Sequence, residues 1–236
     1  MKSFNKMICT KKFYSSFFII VFILFNSYNL IGQPAENGNW LIYFGNQKIN
    51  KKWNLWSEVQ YRNYNTIGDI EQLLLRTGIG YNFNEDNNLL LGYGFVQSYK
   101  YDNVTWEKSK NDEHRIYQQF ITKQKINSFY IQHRYRIEER IFENDFKLRF
   151  RYFLSINKPI NKKTLEKEAL YFSAYNEIFI NNKKTLFDRN RLYGGLGYCL
   201  SKNIKIELGY MSQLYEDGNR NQFQIILFNN TPFNSN

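Results

Sequence analysis

Few side chains in this 236-residue chain offer a start for catalysis. His114 stands beside Asp112 and Glu113, with Ser98 and Ser109 nearby in sequence. These are the residue types of a Ser–His–acid hydrolase, one that cleaves an acyl ester or deacylates a lipid. Neither serine sits in a GxSxG context, and a histidine next to acids is equally an ordinary loop histidine. His133, the other histidine, alternates with apolar neighbours and reads as an interfacial or packed side chain. Two histidines and one cysteine, Cys199 (Cys9 falls in the leader), lie too far apart in sequence for metal-ligand spacing. Gly78, Gly80, Gly92, Gly94, Gly195 and Gly197 recur at every second residue instead of forming a strand-to-helix phosphate loop, so no cofactor is expected.

The spacing of arginine is more telling. In residues 129–159 (FYIQHRYRIEERIFENDFKLRFRYFLSINKP), Phe129, Ile131, His133, Tyr135 and Ile137 share one face at a period of two. Tyr130, Gln132, Arg134, Arg136 and Glu138 share the other. A second arm sets Phe146, Leu148, Phe150, Tyr152, Leu154 and Ile156 against Lys147, Arg149, Arg151, Phe153 and Ser155, with Glu143, Asn144 and Asp145 as turn residues between. Each arm has roughly the ten residues of a tilted strand that crosses a bilayer. One greasy face and one arginine-rich face suit the wall of a membrane barrel with a polar inside. A soluble sandwich makes the same alternation, with its apolar face turned into a core.

The start of the chain is set aside as a signal peptide, residues 1–32. Lys2, Lys6, Lys11 and Lys12 precede an apolar run at 13–25 that is too short to span a membrane as a helix. Cleavage is expected after Gly32, which leaves a single domain at 33–236 with Cys199 alone and no intrachain disulfide. It also takes the formal charge from +11 to about +7. No later apolar run reaches the length of a spanning helix. Basic residues alternate with apolar ones and do not cluster with stacking aromatics, which argues against nucleic acid as a partner.

The rest of the chain repeats the zigzag in about eleven segments, where bacterial barrels use even numbers; ten to twelve strands are predicted. Short turns at 84–88, 127–128 and 201–203 alternate with longer loops, the longest at 100–112. Residues 156–167 read as a connection, with Pro159 interrupting ladder hydrogen bonds. Trp40, Trp53, Tyr64, Tyr81, Phe83, Tyr99, Tyr101, Tyr198 and Tyr210 gather near segment ends, as at membrane interfaces. The predicted fold is therefore an all-β, antiparallel transmembrane barrel in which Glu58, Arg62, Arg76, Arg134, Arg136, Glu138, Arg149, Arg151, Glu177, Arg191, Lys205 and Glu207 face the lumen. Each of these charges would cost about 2–4 kcal/mol on the lipid face at mid-membrane. Such a lumen either binds small anions, whose oxygens suit guanidinium forks, or plugs itself with cross-strand ion pairs.

Several stretches, among them SEVQYRNY (57–64), RTGIGYNF (76–83), EHRIYQQF (113–120), HRYRIEERIF (133–142), FKLRFRY (146–152), DRNRLYGGLGY (188–198) and ELGYMSQ (207–213), resemble the DUF2490 family. The resemblance covers nearly all of the chain after the leader. It implies an exported outer-membrane β-barrel of Bacteroidota-like and other Gram-negative bacteria. It brings no catalytic residues to carry over. Function is accordingly expected to be non-enzymatic, a structural protein, small pore or anionic-ligand scaffold. Its partners would be outer-membrane lipid, the barrel-assembly machinery during insertion and a small anion. The alternative is an outer-membrane lipid hydrolase using His114 near the extracellular rim.

Overall fold

Every predicted zigzag segment becomes a strand in the computed structural model, which describes residues 37–102, 104–182 and 185–233. The expected signal peptide lies outside the described residues. The strands are β1 (Asn37–Lys48), β2 (Trp53–Asn63), β3 (Ile70–Asn82), β4 (Asn87–Tyr101), β5 (Lys108–Ile126) and β6 (Phe129–Ile141). They continue as β7 (Phe146–Pro159), β8 (Leu170–Asn181), β9 (Phe187–Cys199), β10 (Ile204–Tyr215) and β11 (Gly218–Asn229). Each strand pairs antiparallel with the next, and β1 then pairs with β11 to close a barrel. Closure leaves no sheet edge to pair with another chain.

An up-and-down chain reverses direction at every turn, so strands one and eleven point the same way. The closing seam is therefore parallel, from Asn37↔Asn221 to Gly45↔Asn229. The other ten pairings keep the antiparallel form read from the sequence.

Connections after odd strands (49–52, 83–86, 127–128, 160–169, 200–203) form a first rim, and those after even strands (64–69, 102–107, 142–145, 182–186, 216–217) a second. The expected alternation of short turns with long loops does not hold. The longest connection, 160–169, shares the first rim with the short turns, while 216–217 on the second rim is a two-residue turn. The long loop predicted at 100–112 is also mostly strand. The ladder continues through Lys100↔Ser109 and Tyr101↔Lys108, because polar side chains do not prevent backbone pairing. What remains of the loop is held by Asp102, whose carboxylate accepts from the Val104 and Thr105 amides, both at 2.8 Å. Those two bonds, Thr105 first, hold Asp102 below its usual carboxylate range. Pro159 is the last residue of β7, opposite Tyr171, so the missing N–H falls at the strand's end instead of opening the connection at 156.

Alternation sorts the two faces. Outside, Leu75, Ile79, Leu91, Tyr93, Ile137, Phe150, Phe172, Leu192, Leu196, Leu208 and Phe223 are exposed around the wall. Trp53, Tyr81 and Phe83 pack edge to face at the first rim. Trp40 departs from the expected interfacial set. It is buried inside, in a cluster with Ile42, Tyr193, Met211 and Ile226 beside the seam. Residues 39–46 are apolar on both faces, so alternation gave no sign of which way they point.

The inward glycines make room for tyrosines. A Cβ on Gly92 would collide with the Tyr117 ring, and one on Gly197 with Tyr171. Both rings are fully buried, and Tyr117 donates to the Thr77 carbonyl oxygen at 3.2 Å. Gly92→Ala is expected to destabilise the barrel by about 1–3 kcal/mol through overpacking. A urea titration followed by tryptophan fluorescence measures it, with Gly194→Ala, which meets open space, as the neutral control.

Candidate functional site

Inside the barrel, alternate residues of β2, β3 and β5 to β9 converge on a network of guanidinium and carboxylate groups. Glu138 of β6 is at its centre and fully buried. Its Oε1 accepts from Arg151 at 2.5 Å, Arg136 at 3.3 Å and Arg76 at 3.4 Å. Its Oε2 accepts from Arg149 at 2.6 and 3.0 Å, with Arg115 at 4.0 Å. Arg76 lies on β3, separated from β6 by both β4 and β5 in the sheet order, so it reaches Glu138 across the enclosed space and not along the wall.

Two further carboxylates extend the network. Glu58 accepts from Arg76 at 2.7 Å and from Gln60 at 2.5 Å. Glu177 accepts from Arg134 at 2.6 Å and Arg151 at 2.7 Å, with Arg191 at 3.6 Å. Nine of the twelve residues singled out from the sequence are thus linked by buried ion pairs. Arg62 lies alongside without a carboxylate partner among the described ion pairs. It donates to Gln60 and Gln72 and stacks 3.7 Å above the Trp40 ring. Lys205 and Glu207 sit apart, nearer the first rim. Glu207 accepts from Tyr171 at 2.8 Å and Tyr193 at 3.5 Å, and Lys205 lies over the Tyr171 and Phe228 rings.

Strict alternation could not find two more acids. Both register shifts in the barrel leave an extra residue that the ladder skips. Arg62↔Gln72 is followed by Asn63↔Ile70, which omits Glu71, and Phe179↔Arg189 by Ile180↔Phe187, which omits Asp188. A bulged residue escapes the two-residue period and can be re-aimed. Glu71 accepts from Arg220 at 2.5 Å, and Asp188 from Arg149 at 3.2 Å. Arg220 also lies over the Tyr64 ring. Burial, and after it the Glu71 carboxylate, pushes the Tyr64 phenol up to about 12, so it stays neutral and donates to the Tyr99 carbonyl oxygen at 2.8 Å. Glu113, considered from the sequence only as an acid beside His114, belongs to the inner set instead and holds Arg115 at 2.6 Å and Arg140 at 2.5 Å.

Aromatic faces fill in where carboxylates do not. Phe179, 1% exposed, has Arg151 at 4.5 Å, Arg191 at 4.6 Å and Arg149 at 5.3 Å from its ring centre. Arg136 lies 4.5 Å from the Tyr117 centre. Desolvated cation–π contacts of this kind contribute about 2 kcal/mol each. A cavity of about 70 Å³ remains towards the second rim, lined by Arg62, Gln72, Arg76, Arg115, Arg140, Arg149, Arg151, Phe179, Arg189 and Arg191. A second cavity, of about 30 Å³, lies at the first rim beside hydrogen-bonded Asn54, Asn82 and Asn88.

The hydrolase residues do not come together. His114 faces outwards, with Nδ1 2.6 Å from the Tyr93 hydroxyl, while Ser98 lies on the inward face and accepts from Gln72 at 2.6 Å. Glu113 also faces inwards, onto its two arginines. Ser109 donates to the Lys100 carbonyl oxygen at 3.3 Å. His133 contacts the Tyr152 hydroxyl at 2.8 Å. Among the described residues no group of three or more His, Cys, Asp or Glu could hold a metal ion.

Fold and site together define a closed eleven-strand β-barrel whose inside is bridged by arginine–carboxylate pairs. The chain belongs to the DUF2490 family, described as a protein of unknown function, whose family model matches residues 37–224. No curated protein and no solved structure matches it.

Proposed function

We propose that this chain is a non-enzymatic outer-membrane β-barrel protein of a Gram-negative bacterium. In this reading it is exported by the segment at 1–32 and inserted by the barrel-assembly machinery, and its arginine- and glutamate-lined lumen is closed to free passage. The observation that carries the reading is the continuous exposed apolar face of a sheet that is already closed on itself. Soluble proteins rarely expose a contiguous apolar patch of more than a few hundred Å², whereas lipid covers such a band on a membrane barrel. Leu196, Leu208 and Ile225, adjacent in register, are each 41–56% exposed on that face. The described residues contain no helix long and apolar enough to cross a membrane; in the proposed reading the strands make the crossing.

The closed lumen follows from the buried pairs that cross it. Replacing water around each arginine by fixed carboxylates and rings fills the space a permeating ion needs.

The test is fractionation followed by electrophoresis and planar-bilayer recording. The full chain should sediment with outer membranes, migrate faster unheated than boiled, and give no steady single-channel current. Ohmic steps in the bilayer overturn the closed lumen. Recovery of the folded protein in detergent-free buffer overturns the membrane assignment.

A further inference from the structure

The charge inside the barrel does not balance. Among the described residues around the larger cavity, Arg62, Arg76, Arg115, Arg134, Arg136, Arg140, Arg149, Arg151, Arg189, Arg191 and Arg220 face Glu58, Glu71, Glu113, Glu138, Glu177 and Asp188, eleven guanidiniums against six carboxylates. Isolated buried charges are costly, and such groups are retained when paired and hydrogen-bonded. Not every donor here is paired. Arg76, 6% exposed, has its Nε without a hydrogen-bond acceptor and lines the cavity. Arg189 lines it too, and its Nε is likewise without an acceptor. Arg62 has amide oxygens and the Trp40 ring as its partners.

We infer that this chamber is a binding site for a tetrahedral oxyanion, an inorganic phosphate or sulfate or the terminal phosphate of a soluble monoester. A doubly charged anion with four oxygens answers both deficits, since it carries the missing negative charge and offers acceptors in several directions. Guanidinium forks match such oxygens bidentately, and short charge-assisted bonds exceed neutral ones about twofold in strength. Size agrees. The cavity of about 70 Å³ holds several waters, each needing roughly 10–15 Å³, or one small oxyanion. Entry is from the second rim, because Arg62, Gln72, Arg140, Arg149 and Arg189 all lie within a few residues of strand ends on that side. The inference goes beyond the proposed function and relies on the barrel, not on the bilayer.

The experiment is calorimetric titration of the refolded full chain in a zwitterionic detergent with orthophosphate, then with glycerol 3-phosphate, each against a chloride background. Orthophosphate should bind, and Arg62→Gln should weaken binding at least tenfold. Lys51→Gln, on the opposite rim, should leave it unchanged. Binding of glycerol 3-phosphate at similar strength assigns the site to phosphate monoesters as well as free anions, and its exclusion restricts the site to the free anion. If folded, heat-modifiable protein takes up no orthophosphate at millimolar concentration, the inference fails. It fails equally if Arg62→Gln binds as the unaltered chain does. A barrel that spans membranes but ignores phosphate overturns this inference alone. A chain that is soluble without detergent overturns the membrane reading and leaves the binding measurement intact.

Discussion

Glu138→Gln should destabilise the folded barrel by about 3–5 kcal/mol, the cost of removing one partner from a buried ion pair. The carboxylate is 0% exposed and lies within 4.0 Å of five guanidiniums, from Arg76, Arg115, Arg136, Arg149 and Arg151. Glutamine keeps the shape and one acceptor but removes the charge that offsets them. The loss differs from that of a rim pair such as Lys110–Asp112, which is half exposed and should contribute no more than about 1 kcal/mol. Urea unfolding in detergent, read as the loss of the fast-migrating band, measures both. A Glu138→Gln midpoint equal to the original would show that the neighbouring carboxylates Glu58 and Glu177 already carry the balance. The network would then be redundant at its centre.

Leu208→Arg should cost about 2–4 kcal/mol in a lipid bilayer, as a charge placed on the lipid face near the midplane does. Leu208 is 56% exposed and paired with Leu196 and Ile225, themselves exposed. In water the same change removes an exposed apolar side chain and should shift stability by no more than about 0.5 kcal/mol. Unfolding from phosphatidylcholine vesicles therefore separates the two surroundings. A negligible change there would mean that lipid does not cover this face. Ser173→Arg, directed inwards where Ser173 is 4% exposed, would fail for a different reason, overpacking, and is no substitute for the test.

Much of this architecture could be read from the residues because a two-residue period is rigid. Once Arg134 and Arg136 are placed on one side, Tyr135 and Ile137 must be on the other, and register carries the division to β7. The linked set around Glu138 and Glu177 follows from that rule alone. Where the rule breaks, foresight breaks with it. Glu71 and Asp188 occupy positions the ladder skips, so counting by twos places neither, although each takes part in an ion pair. Trp40 and Ile42 sit in a strand that is apolar on both sides, where alternation carries no sign. The strand length at 100–112 was hidden for the opposite reason. Its polar composition resembled a loop, while the backbone, whose hydrogen bonds do not depend on side-chain polarity, kept pairing.

The parallel seam has a topological outcome. With an odd number of passes, the polypeptide enters the cylinder at Asn37 on one end and leaves it at Asn229 on the other. An even count would return both tails to a shared compartment. If the cylinder is embedded in a bilayer, Asn37 and Asn229 stand at opposite faces of it, and the completed wall separates the two ends of a single sheet.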